Sequence, residues 1–169
     1  MLRKRSSTRF SARTVDGAVP STEMPRFFGP QLATLRAKAP PGDRWIHEIK
    51  FDGYRGQVHV DRGTARVFTR GGLDWTKKFP MIAEAAAALP VDRVVLDGEI
   101  CVVAGGKTDF SALQAELKSG RQRALVYYAF DILFLDGFDL RKSPQIERKR
   151  VLERLFTEAR VQSPLLYSQ

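Results

Sequence analysis

Lys50, Asp52, Gly53 and Arg55 stand in the order Lys-x-Asp-Gly-x-Arg within the segment His47-Glu48-Ile49-Lys50-Phe51-Asp52-Gly53-Tyr54-Arg55. A lysine that closes a strand beside a glycine turn can point into a cleft, where its amine is a nucleophile once unprotonated. Burial or a neighbouring cation favours that form, and an acidic neighbour alone opposes it. The electrophiles open to such an amine include a carbonyl carbon and an activated phosphorus. Arg55 adds planar donors for ribose or phosphate oxygens, and Gly53 lets backbone approach a ligand. Taken alone, the same residues also describe a strand ending in a surface lysine and an ordinary Asp-Gly turn, so the segment becomes specific only in company.

The elements that must position these groups follow from hydrophobic periodicity. Residues 45–50 alternate as a strand that would carry Lys50, and residues 57–60 repeat the pattern. Arg62-Gly63 makes a turn, and 65–69 returns as the hairpin partner. Residues 93–96 and 100–103 give two strand stretches around Asp97-Gly98-Glu99, and 125–134 is apolar and aromatic enough for a central strand. Helices are expected over 81–89 after Pro80, over 110–118 behind an Asp109 cap, and over 145–159, with Ser143 as N-cap and Pro144 at the first helical position. In the last of these Ile146, Val151, Leu152, Leu155, Phe156 and Ala159 form one apolar stripe that packs on a core. Hairpin-linked strands with helices between them make an α+β domain with antiparallel sheets flanked by helices.

The chain has 169 residues, 43% hydrophobic and 28% charged, enough for one domain with a sizeable core. Its formal charge of +9 makes a polyanion such as nucleic acid a plausible partner. Five of the cations (Arg3, Lys4, Arg5, Arg9, Arg13) fall in the first fifteen positions without an acid, so the body is only mildly basic. Residues 1–24 are expected to form a flexible basic arm or linker, with the domain starting near Pro25. A single cysteine, Cys101, excludes an internal disulfide and a CxxC zinc site; it reads as a buried strand residue in a protein of a reducing compartment. His47 and His59 lack companion ligands, so no zinc is expected, and Trp45 and Trp75 read as packing residues. No apolar run reaches the length of a membrane helix, and the basic N-terminus lacks the apolar stretch of a secretion signal, so no membrane partner is expected and the location is cytoplasmic, nucleoid-associated if DNA is bound.

The motif has company, in order. The segment 48–55 resembles the nucleotidyl-transfer motif of covalent nucleotidyltransferases: ATP-dependent DNA ligases, RNA ligases and mRNA capping enzymes. Phe68-Thr69-Arg70-Gly71-Gly72-Leu73-Asp74-Trp75-Thr76 with Phe79-Pro80 is similar to the ligase motif that comes next, Leu96-Asp97-Gly98-Glu99 to the third, and Tyr128-Ala129-Phe130-Asp131-Ile132-Leu133 to the one after it. Pro30-Gln31-Leu32-Ala33-Thr34-Leu35 upstream points to the ligase module of bacterial ligase D, over about residues 25–168.

The resemblance implies a partial nucleotidyltransferase domain of the DNA ligase and capping-enzyme type, ATP-grasp-like in fold. It also implies that Lys50 attacks the α-phosphorus of ATP, pyrophosphate leaves, and AMP passes to a 5′-phosphate at a DNA break, which the 3′-hydroxyl then seals. By position, Glu48 would read the adenine edge, and Arg55 and Arg70 would contact ribose, phosphate or the DNA end. Glu99 matches the ribose- and metal-linked carboxylate, and Phe130 the aromatic that stacks on adenine. Asp52 is either a second metal-linked carboxylate or a turn-fixing one. ATP with Mg²⁺ or Mn²⁺ is the implied cofactor set. DNA with nicks or ends is the implied partner, with Ku, polymerase and nuclease modules, or a missing ligase half, as further ones.

Nothing in the chain matches the later family motifs: the Glu-Gly segment, the paired-lysine strand that holds the α-phosphate, and the oligonucleotide-binding-fold domain. Residues 25–169 are therefore expected to be the N-terminal part of an adenylation domain, truncated at its C-terminus. Self-adenylation would be weak or undetectable, because each missing electrostatic contact is worth about two orders of magnitude in rate. Two alternatives stand beside the ligase reading. One is a GTP-using capping enzyme or an RNA ligase, which explains residues 69–80 less well. The other is an inactive fragment acting as a DNA- or partner-binding module, whose DNA affinity would fall steeply with salt.

Overall fold

A computed structural model describes residues 10–32, 37–42 and 45–169. Among the described residues eight strands and three α-helices follow one another: β1 (Val19–Pro20), β2 (Tyr54–Asp61), β3 (Thr64–Thr69), α1 (Pro80–Ala87), β4 (Arg93–Ala104), β5 (Lys107–Thr108), α2 (Phe110–Ser119), β6 (Leu125–Leu135), β7 (Phe138–Asp139), α3 (Gln145–Glu158) and β8 (Leu165–Tyr167). The sheet runs β1-β7-β6-β4-β2-β3, with β5 added to β4 and β8 added to β6. Every pairing is antiparallel except that of β8, which lies parallel to β6. The α+β expectation of antiparallel sheet and flanking helices therefore holds, with one short parallel addition.

Strand alternation divides the sheet into two faces. Val58 and Val60 of β2, Val94 and Leu96 of β4 and Ile132 of β6 join Ile82 and Ala86 of α1 and Leu152 and Leu155 of α3 in the main core. Arg55, Gln57 and His59 of β2 alternate with those valines and so face the other way, as do Val95 and Asp97 of β4. On that second face Val95, Leu133 and Phe134 form a smaller apolar cluster, covered by Met24 and Phe28. The side chain of buried Gln57 donates to the Phe28 carbonyl (3.2 Å), and His59 Nε2 lies 2.8 Å from Gln57 Oε1. A strap from the start of the chain thus closes over the polar residues of the sheet.

Several local readings change. Residues 45–50 form no strand; Trp45, Ile46 and Ile49 are all exposed, so their alternation has no sheet to pair with. The two stretches around Asp97-Gly98-Glu99 are one strand, β4, whose register against β6 shifts between Val95 and Leu96 and again between Asp97 and Gly98. Gly98 is required there: a Cβ would lie 2.5 Å from the Tyr127 ring and 2.5 Å from the Tyr128 carbonyl. Tyr127 crosses above it to donate its hydroxyl to the Gly56 carbonyl on β2 (3.0 Å), tying three strands together.

Asp109 caps α2 as expected, accepting from the Ala112 N–H, and Gly120 ends the helix in the left-handed region. At α3 the N-cap is Pro144, not Ser143; the Ser143 carbonyl accepts instead from Arg148 Nη1 (2.6 Å). Ile146 leaves the apolar stripe and is exposed, while Val151, Leu152, Leu155 and Phe156 are buried. The expected arm through residue 24 also needs correction. Phe10 and Ala12 are buried in the main core, and β1 pairs with β7, so residues 10–24 pack with the domain. Residues 1–9, with Arg3, Lys4, Arg5 and Arg9, lie outside the described residues, as do Ala33, Thr34 and Leu35 of the upstream motif.

Candidate active site

The second face of the sheet, the strap and α3 enclose a cleft of about 770 Å³, large enough for a nucleotide. Glu48, Lys50, Arg55, Glu99 and Phe130 all line it. Five of the seven site residues singled out in the sequence therefore meet at one place. Arg70 and Asp52 do not line it. Arg70 is exposed in the turn after β3, closed by the Gly72 N–H on the Thr69 carbonyl (2.9 Å). Asp52 is exposed too, and its backbone N–H donates to Thr108 Oγ1 (3.0 Å).

Arg55 sits directly opposite Glu99 in the β2–β4 register, and its guanidinium grips Asp97 with two bonds, Nε to Oδ1 and Nη2 to Oδ2, both 2.9 Å. Its carbon centre lies 4.6 Å from the Phe130 ring centroid, a cation–π contact that covers one face of that ring. Burial disfavours the Arg55 charge, but the Asp97 bond and the Asp97 and Glu99 charges outweigh it and raise its pKa. Glu99 moves the other way for a carboxylate: burial pushes it up to about 7, with Asp97 and Asp52 adding and Arg55 and the Gly53 N–H opposing.

Gly53 has a structural duty in place of a ligand-facing one, because a Cβ there would run into the Ile100 carbonyl of β4. Cys101 is buried in β4, and burial pushes its thiol up to about 12, so it is inert.

From α3 and β6 come residues that the sequence reading did not single out. Arg148 forks onto Asp131 (Nε to Oδ1 2.7 Å, Nη2 to Oδ2 2.9 Å). Lys149 Nζ donates to Glu48 Oε1 (2.7 Å), and Gln145 Nε2 reaches Glu48 Oε2 at 3.4 Å. Arg141, between β7 and α3, pairs with Asp139 and lies over the Phe28 ring at 4.7 Å. A signal for Arg148 and Lys149 existed: Arg148, Leu152 and Leu155, like Lys149, Leu152 and Phe156, follow the three- and four-residue spacing of one inward helix face.

Four cations (Lys50, Arg55, Arg141, Arg148) and four carboxylates (Glu48, Asp97, Glu99, Asp131) line the cleft. Six of the eight are tied in ion pairs, to each other or to Asp139 and Lys149. Lys50 and Glu99 are the two that have no ion pair among the described residues. Lys50 is exposed to solvent at the cleft wall.

The family model of the ATP dependent DNA ligase domain matches residues 30–168. This chain belongs to that family. The multifunctional non-homologous end joining protein LigD of Pseudomonas aeruginosa is 40% identical over 148 residues, covering 87% of this chain and 17% of the relative. A probable DNA ligase of Nocardioides is 41% identical over 128 residues, covering 75% of this chain and 25% of the relative. Among solved structures, the ligase domain of Mycobacterium tuberculosis LigD superposes with a TM-score of 0.60 at 36% identity, over 72% of this chain and 38% of that one. A mycobacterial DNA ligase D complexed with ATP gives 0.60 at 35% identity, over 73% of this chain and 38% of that one. The chain thus spans under two-fifths of the ligase structures and about a sixth to a quarter of these curated relatives. The ligase family is a family of enzymes, and its nucleotidyltransferase fold is the one described above.

Proposed function

We propose that the cleft binds ATP and that Lys50 Nζ attacks its α-phosphorus. A P–N bond forms, the bond to the pyrophosphate oxygen breaks, and the amine proton passes to solvent, leaving AMP on the enzyme for transfer to a DNA 5′-phosphate. The observation that carries this reading is the pattern of pairing. In a cleft whose other charges are already matched, the unmatched groups are one amine able to act as nucleophile and one carboxylate able to meet a cation.

This chain's residues supply binding and orientation. Phe130 offers an aromatic wall for a base, the Glu48 carboxylate offers acceptors to an exocyclic amine, and Arg55, fixed by Asp97, presents donors to ribose or phosphate. Equal numbers of acids and bases give the cleft no net positive field for a triphosphate. Among the described residues no group of three His, Cys, Asp or Glu could hold a metal alone. Mg²⁺ carried on a triphosphate needs only one or two protein carboxylates, and Glu99 fits that place. When bound, the ion would offset phosphate charge in the displacement. Like its end-joining relatives, the protein would act on DNA with nicks or ends, in a break-repair reaction that other modules and partners such as Ku complete.

The test is label transfer. With ATP labelled at the α-phosphorus, label should join the protein, should not join it from GTP, and should pass to nicked DNA on a chase. Labelling from GTP in place of ATP, or label that no 5′-phosphate can remove, would overturn the reading.

A further inference from the structure

The segment that carries Lys50 has no strand partner among the described residues. From 45 to 52 it belongs to no helix or strand, and among the described residues three side-chain ties hold it: Asp52 N–H to Thr108 Oγ1 (3.0 Å), the Phe51 ring stacked on Tyr128 (4.3 Å between centroids, 12° between planes), and Glu48 to α3. The first two lie after Lys50. The third lies before it; the other bond ahead of the nucleophile among the described residues, Trp45 N–H to the Gly42 carbonyl (3.4 Å), stays within the loop, so Glu48 is the tie that fixes this stretch to the body of the domain.

The α3 end of the tie is built as an anchor. Lys149 is 6% exposed, an uncommon burial for a lysine. Its Nζ donates to Glu48 Oε1 (2.7 Å) and to the Ser168 carbonyl (3.1 Å), and it lies 5.6 Å from the Tyr167 ring centroid. The backbone that carries Ser168 is itself fixed, its N–H donating to the Ala129 carbonyl of β6 (2.9 Å). A buried ammonium held this way has one fixed position, so the carboxylate paired with it is fixed as well.

We propose that Lys149 is a positioning residue for nucleotidyl transfer. Through Glu48 it sets the pose of the segment that aims Lys50 at the nucleotide, and it holds the Glu48 carboxylate at the cleft wall. The inference rests on the proposed function for its chemical consequence, while its mechanical half stands on the ion pair alone. Displacing a nucleophile by about 1 Å is enough to cost about a hundredfold in rate. Loss of Lys149 should therefore slow AMP transfer more than it weakens ATP binding.

Two measurements on the whole chain separate the halves. The first is the rate at which trypsin cuts after Lys50, followed by mass spectrometry under native conditions. It should rise about tenfold or more in Lys149→Met and in Glu48→Gln, no further in the double variant, and not in Glu153→Gln on an exposed part of α3. Cleavage unchanged in Lys149→Met, with wild-type melting behaviour, overturns the inference whatever the nucleotide chemistry. The second measurement follows ATP affinity and single-turnover AMP transfer separately. Lys149→Met should lower the rate by about a hundredfold with a smaller change in affinity, and Lys149→Arg, which keeps the charge, should recover most of it. An equal loss of affinity and rate, or no rescue by arginine, reduces Lys149 to a packing residue and refutes the proposal. If wild type takes up no AMP and binds no ATP, the proposed function fails, and the proteolysis result alone decides the anchor.

Discussion

Replacing Gly98 by alanine should be among the most damaging single-methyl additions in this protein. The added Cβ would sit 2.5 Å from Tyr127 Cζ and 2.5 Å from the Tyr128 carbonyl oxygen, where ordinary contact begins at 3.4 Å. Each neighbour would have to retreat by about 1 Å. Neither is free to do so: the Tyr127 ring is fully buried and its hydroxyl is bonded to the Gly56 carbonyl, and the Tyr128 backbone lies in register with Glu99 on one side and Leu166 on the other. Overpacking of this kind costs about 1–3 kcal/mol, and losing the Tyr127 bond adds about 1 kcal/mol. A loss of about 2–4 kcal/mol corresponds to about 5–15 °C in melting temperature for a chain of this size. Thermal and urea unfolding followed by circular dichroism would measure it, with Gly71→Ala as control, since a Cβ at Gly71 meets nothing within 4 Å. A Gly98→Ala protein that melts within about 2 °C of wild type would refute the close-approach argument.

Other outcomes follow from the same geometry. Burial, with the Arg66 charge adding to it, pushes His59 down to about 4, so the folded protein resists its protonation. The stability this gives is whole above the ordinary histidine pKa of about 6.5 and is lost as pH falls toward 4, by up to about 3 kcal/mol. A His59→Gln protein should lack that part of the acid sensitivity in urea titrations. Glu99, raised to about 7, has the opposite sense: its ionisation opposes folding, so its effect on stability becomes less favourable as pH rises from the ordinary carboxylate range through 7. Because the anionic form meets a cation, calorimetric affinity for Mg·ATP should strengthen as pH rises from about 6 to 8, and Glu99→Gln should flatten the dependence. Asp131→Ala would leave Arg148, 9% exposed, without its carboxylate and should cost about 3 kcal/mol, measurable by urea unfolding; an Arg148→Met change in the same protein should recover part of the loss.

Much of the fold was open to reading because local chemistry and tertiary packing agree. The alternation of 57–60, the Asp109 cap and the apolar spacing of 151–156 each describe an element the protein forms. Residues 45–50 mislead for a physical reason: alternation of Trp45, Ile46 and Ile49 states which residues are apolar, and only the sheet decides whether a neighbour exists to pair with them. The expectation of an arm through residue 24 fails because Phe10 and Ala12 are isolated apolar residues in a polar stretch, and no periodicity advertises a single aromatic entering a core. In the site, residues on β2 and β4 converge as strand alternation demands, which is why Arg55 and Glu99 meet. Asp97, two positions before Glu99, carries the same signal. On α3 the spacing of Arg148 and Lys149 marks an inward face but not their partners, since the pairing of Lys149 with Glu48 joins positions 101 residues apart that only the tertiary structure brings together.

The central claim is tested most directly by the intact mass of the chain after incubation with ATP and Mg²⁺, with the modified peptide mapped and Lys50→Ala run in parallel. The account predicts a gain of one AMP, acid-labile as a P–N linkage is, located on Lys50 and absent from the variant. An adduct that persists in Lys50→Ala, that maps to another residue, or that never forms in a folded protein would contradict it.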